Sequence, residues 1–66
     1  MKRVYKVGEI IELLNNDGWY LARHHATSHR QFKHPTKAGT VTVNGKLSDV
    51  LPPFLKKSIF KQAGWE

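Results

Sequence analysis

Ser28-His29-Arg30-Gln31-Phe32-Lys33-His34, residues 28–34, is the stretch whose reading decides the fold. Successive side chains of an extended strand point to opposite faces. Arg30, Phe32 and His34 therefore share one face, and His29, Gln31 and Lys33 share the other. Phe32 marks the buried side. His29 then looks toward solvent, the arrangement of an antiparallel sheet packed on one face and open on the other.

The neighbouring segments supply partners for this strand. Upstream, Trp19 to about His24 reads as a strand with Trp19, Leu21 and Arg23 on one side and Tyr20, Ala22 and His24 on the other. A turn is expected near His25-Ala26-Thr27. Downstream, His34-Pro35-Thr36-Lys37-Ala38-Gly39 is a turn, since Pro35 lacks an N–H and Gly39 tolerates a positive φ. Thr40 to Val43 follows as a third strand, β-branched throughout, with Val41 and Val43 inward and Thr40 and Thr42 outward. Asn44-Gly45 ends it.

Helical periodicity flanks these strands. Val7, Ile10, Ile11 and Leu14 fall at i, i+3, i+4 and i+7, with Glu9, Glu12, Asn15 and Asn16 opposite, which predicts a helix over about 7–16 closed by Gly18. Near the other end, Pro52-Pro53 gives a rigid start to a second helix over about 53–63. Its inner line is Leu55, Ile59 and Ala63, flanked by Phe54 and Phe60, and Gly64 terminates it. The order helix, three strands, helix places both helices on one face of a three-stranded antiparallel meander. This is an α+β sandwich, α-β-β-β-α, of the double-stranded-RNA-binding-domain type, occupying 1–66 as a single domain.

Composition bounds the partners. The 66-residue chain carries eleven Lys and Arg against five Asp and Glu, a formal charge of +6, with four histidines besides. A surplus of that size attracts polyanions, of which nucleic acid is the usual one. There is no cysteine, so disulfides and thiolate zinc sites are excluded. No apolar run approaches the roughly 18–20 residues of a membrane span, and Met1-Lys2-Arg3 is not followed by a signal-peptide core. The expected location is the cytoplasm, with no membrane contact.

Arg23, His24, His25, His29, Arg30, Lys33, His34 and Lys37 form a run of eight basic or titratable residues without one Asp or Glu among them. On a hairpin such residues can surround a phosphodiester, Arg and Lys neutralising its charge and a histidine moving protons. Histidine suits the task because its unperturbed pKa of about 6.5 keeps both forms populated near neutrality. RNA carries its own nucleophile, the 2'-hydroxyl, so a protein that holds the phosphate and manages protons can cleave it without metal or cofactor. Trp19 and Tyr20 offer stacking surfaces for bases. The alternative is that the same histidine only contacts phosphate or solvent. A zinc site at His25 and His29 is disfavoured, because an i, i+4 pair needs a helix and no carboxylate is near. A Ser28-His29 nucleophilic pair is disfavoured by strand alternation.

The run Ser28-His29-Arg30-Gln31-Phe32-Lys33-His34-Pro35, the following Gly39-Thr40-Val41-Thr42-Val43, the ending Ile59-Phe60-Lys61-Gln62-Ala63-Gly64, and Leu13-Leu14 leading to Asp17-Gly18-Trp19 together resemble the HicA mRNA interferase toxins. The resemblance implies a double-stranded-RNA-binding-type fold and a type II toxin: an endoribonuclease that cleaves mRNA without a metal and blocks translation. It implies a HicB-type antitoxin protein that covers the site, and no DNA contact by this chain. The family's catalytic histidine lies in a Gly-Ser-His motif opening the second strand; it corresponds to His29, with Ser28 retained and Thr27 where the family has glycine. Beside His29 as general acid or base, Arg23, Arg30, Lys33, His24, His25 and Lys37 are the expected RNA or phosphate contacts. A non-catalytic RNA-binding or regulatory module of the same fold is the competing expectation, and a pure protein-interaction module is a third.

Overall fold

The structure is a computed structural model, and it describes residues 4–25 and 29–66. Of the turn expected near His25-Ala26-Thr27, His25 belongs instead to a strand, and Ala26 and Thr27, with Ser28, lie outside the described residues. Seven elements follow in order: β1 (Tyr5–Lys6), α1 (Val7–Asn16), β2 (Tyr20–His25), β3 (His29–Lys33), β4 (Val41–Asn44), β5 (Val50–Leu51) and α2 (Pro53–Gln62).

Helix α1 forms where the apolar period predicts it. Val7, Ile10 and Leu14 are fully buried along one stripe. The first N–H groups of a helix have no partner within it. Here the loop before β5 supplies them: Val7 N–H donates to the Asp49 carbonyl (2.9 Å) and Gly8 N–H to the Leu47 carbonyl (3.0 Å). The backbone N–H of Lys6 donates to the Glu9 carboxylate at 2.9 Å. At the other end Trp19 N–H reaches the Leu14 carbonyl (2.9 Å) and Gly18 N–H the Asn15 carbonyl (3.1 Å), the paired bonds of a Schellman stop. That stop requires the positive φ of Gly18, which is 100°.

Strands β2, β3 and β4 form an antiparallel meander in that order. The face bearing Phe32, Val41 and Val43 is sealed by α1 and α2, whose Ile10, Leu14, Ile59 and Ala63 complete one buried cluster with Val7, Trp19 and Leu51. The α+β sandwich with both helices on one side of the sheet is thus present as expected. The outer edge of β4 is covered from α2, where the Gln62 side-chain oxygen accepts the Thr42 N–H at 3.3 Å.

Several expectations need correction. The connection after β4 holds a strand: β5 pairs antiparallel with β1, Tyr5 against Leu51 and Lys6 against Val50, in a separate two-stranded sheet. Two-residue strands are too short to show a period in sequence. This pairing carries Tyr5 onto α2, where its ring meets Phe60 edge to face at 5.7 Å. Phe54 does not flank the core but is 71% exposed, and Leu55 is 39% exposed. Leu55 borders an open depression with Asn44, Leu51 and Ser58, so the first turn of α2 is only partly covered. Trp19 is buried in the core rather than offered to bases.

The parity of β2 is also different. Tyr20 pairs with Lys33 and Leu21 with Phe32, but the register then shifts, and Arg23 pairs with Gln31, His24 with Arg30 and His25 with His29. Two residues of β2 thus oppose one step of β3, which is a β-bulge at Ala22. The bulge reverses alternation beyond it. Arg23 lies on the solvent face with Gln31, not on the side of Trp19 and Leu21 as plain alternation predicts.

Candidate active site on the open sheet face

Residues directly opposite one another in an antiparallel pair share a face. From the register, the face away from the helices carries Tyr20, Arg23 and His25 from β2, and His29, Gln31 and Lys33 from β3. It carries Thr42 and Asn44 from β4, opposite Gln31 and His29 respectively. His29 is exposed, as are Tyr20, Arg23, His25, Lys33 and Asn44. The bulge matters to this arrangement, because it brings Tyr20 and Arg23, three apart in sequence, onto one surface.

Among its described residues this face holds no Asp or Glu. Arg23 and Lys33 give it positive charge, two imidazoles stand at its hairpin end, and Tyr20 is 51% exposed. Asn44 was legible in the sequence only as a strand terminator; its position opposite His29 makes it a neutral hydrogen-bonding group beside the candidate catalyst.

Other members of the basic run are placed elsewhere. Arg30 lies on the helix side, and its Nη1 donates to the Gly45 carbonyl at 2.9 Å, tying β3 to the end of β4. His24, opposite Arg30, is turned to that same side at the rim of the sheet. Lys37 donates from Nζ to the Asp17 carboxylate (2.6 Å) and to the Ala63 carbonyl (3.1 Å). Of the expected contacts, Arg23, His25 and Lys33 surround the face of His29; Arg30, His24 and Lys37 do not.

His34 is held away from solvent chemistry by its own bonds. Its Nδ1 accepts the backbone N–H groups of Thr36 and Lys37, each at 3.1 Å. Nε2 lies 2.7 Å from the Asp17 carbonyl. Because a backbone N–H can only donate and a carbonyl only accept, the network assigns the proton to Nε2. The ring also packs edge to face on Trp19 at 5.2 Å.

Asp17 is the hub beneath this corner. Its Oδ2 accepts the indole N–H of Trp19 (3.1 Å) and of Trp65 (3.0 Å) as well as Lys37 Nζ. The Lys37 hydrogen bond, followed by that of Trp65, holds the Asp17 carboxyl below its ordinary value of 3.8. One carboxylate thus fastens the end of α1, the turn after β3 and the tail after α2. The sheet end that follows Lys33 is fixed by this clamp, leaving the hairpin end with His25 and His29 exposed.

An α+β domain with both helices behind a three-stranded sheet, and a basic, carboxylate-free face in front, belongs structurally with small double-stranded-RNA-binding-type folds. The family model described as HicA toxin of bacterial toxin–antitoxin systems matches residues 7–65. The chain belongs to the HicA toxin family. No curated protein matches it. Among the described residues no helix is long and apolar enough to cross a membrane, and no three His, Asp or Glu side chains are grouped as metal ligands.

Proposed function

We propose that this HicA-family toxin is an endoribonuclease that cleaves mRNA in the cytoplasm without a metal cofactor and so blocks translation. His29 acts as general acid or base. Arg23 and Lys33 neutralise phosphates along the bound strand, and Tyr20 stacks on a base. The observation that carries the reading is the exposed position of His29 on a face that also bears Arg23 and Lys33 and no acidic residue. Such a face binds a polyanion by neutralising phosphates. A histidine beside a bound phosphate can move the protons that 2'-hydroxyl attack requires.

A HicB-type antitoxin is the protein partner, and it silences the toxin by covering His29. The positive field of the face suits an acidic covering surface.

Incubation of the purified protein with a long RNA, with and without chelator, tests the reading. Fragmentation in both conditions, absent in His29→Ala, is the expected result. Fragmentation that chelator abolishes overturns metal independence. RNA bound in a salt-dependent manner and recovered intact identifies a non-catalytic RNA-binding module of the same fold.

A further inference from the structure

Strand cleavage by the RNA 2'-hydroxyl needs two proton movements, and a single histidine accounts for one. A base removes the 2'-hydroxyl proton as O2' bonds to phosphorus. The P–O5' bond breaks, its electron pair stays on O5', and an acid protonates that oxygen. The products are a 2',3'-cyclic phosphate and a 5'-hydroxyl, with no water or metal consumed.

We infer that His25 is the second proton-transfer residue, paired with His29 across the β2–β3 hairpin. The inference rests on the ribonuclease reading. The two histidines are register partners, so they share the open face. Directly opposed residues place their Cβ atoms about 5 Å apart. Both are exposed, so a phosphodiester can approach the two rings from solvent.

The remaining candidates are excluded by position or chemistry. His24 pairs with Arg30 on the helix side. His34 is committed at both ring nitrogens to backbone groups. Lys33 lies four residues along the strand from His29, about 13 Å at 3.3 Å per residue, and Tyr20 is opposite Lys33. Arg23 offers only guanidinium N–H donors, which bind a phosphate rather than exchange protons with the reacting oxygens. Asn44 and Thr42, which face His29 and Gln31 from β4, do not titrate in this range. Among the described residues of this face, His25 alone combines reach with an imidazole, which can both give and take a proton.

The test uses the full chain and an RNA oligonucleotide containing the wild-type cleavage site. His25→Ala and His29→Ala each lose about 10²–10⁴-fold in kcat if each supplies one transfer. Circular dichroism confirms folding, which an exposed position should not disturb. A second substrate replaces the bridging O5' by sulfur, a leaving group that departs without protonation. On it, one of the two variants recovers near wild-type kcat, identifying the acid, and the other does not. End-group analysis returns a 2',3'-cyclic phosphate. A His25→Ala kcat within about threefold of wild type, with His29→Ala inactive, overturns the pairing while the ribonuclease reading stands. Recovery of both variants or of neither on the sulfur substrate also overturns it. Wild-type protein that leaves RNA intact removes both.

Discussion

Replacement of Gly18 by alanine probes the corner that fixes the sheet, and a second glycine supplies its control. Gly18 has a φ of +100°, and a Cβ there would lie 2.8 Å from His34 Nε2. Gly39 has a φ of +87° with nothing within 4 Å of a Cβ. Both substitutions carry the backbone penalty, about 1–2 kcal/mol for a side chain in left-handed space. Gly18→Ala must also displace an imidazole that is bonded at both nitrogens. Loss of the bond to the Asp17 carbonyl costs about 0.5–1.5 kcal/mol. Loss of the edge contact with Trp19 costs a similar amount. The expected destabilisation is about 1–2 kcal/mol for Gly39→Ala and about 2–5 kcal/mol for Gly18→Ala. A domain of this length has roughly 3–10 kcal/mol in all, so the second variant approaches unfolding. Urea titration followed by tryptophan fluorescence measures both. In the double variant Gly18→Ala/His34→Ala the clash is gone, so the combined loss falls short of the sum. Equal losses at the two glycines, or strict additivity in the double variant, would refute the idea that His34 is a fixed part of the corner.

Asp17 gives a pH dependence of known sign. Its carboxyl is held below 3.8, so its contribution is fully present above that value and fades as pH falls through the lower native one. Asp17→Asn should flatten the acid limb of a urea-midpoint titration against pH, and an unchanged limb would count against the clamp. Arg23 and Arg30 separate by face. Arg23→Ala should lower the salt slope of RNA binding by about 0.7–0.9, one phosphate, with the urea midpoint unchanged. Arg30→Ala should instead cost about 1–3 kcal/mol of stability and leave the slope intact, because its guanidinium is spent on the Gly45 carbonyl.

How far the sequence could be read depended on the range of the interactions involved. The stripe Val7, Ile10 and Leu14 declares α1 because periodicity is local, and the alternation around Phe32 correctly turns His29 outward. The bulge at Ala22 has no such signature: it lies between Leu21 and Arg23 without a glycine, and it is set by pairing with β3. Arg23 was therefore placed on the wrong side by simple alternation. The division of the basic run was equally hidden. Lys37 and His34 are claimed by Asp17, 20 and 17 residues away, and Arg30 by Gly45, 15 residues away. Composition joined these eight residues into one patch, whereas long-range bonds gave three of them to the framework. The pairing of β1 with β5 joins segments at opposite ends of the chain, each too short to be recognised alone.

The most direct measurement compares an all-ribose oligonucleotide with its 2'-deoxy counterpart, in chelator, using wild-type protein and His29→Ala. Cleavage of the ribose strand by wild-type protein, with the deoxy strand intact and His29→Ala inactive on both, is the predicted result. Cleavage of the deoxy strand, or undiminished cleavage by His29→Ala, would contradict an account in which the open face bearing His29 directs the RNA's own 2'-hydroxyl onto its phosphate.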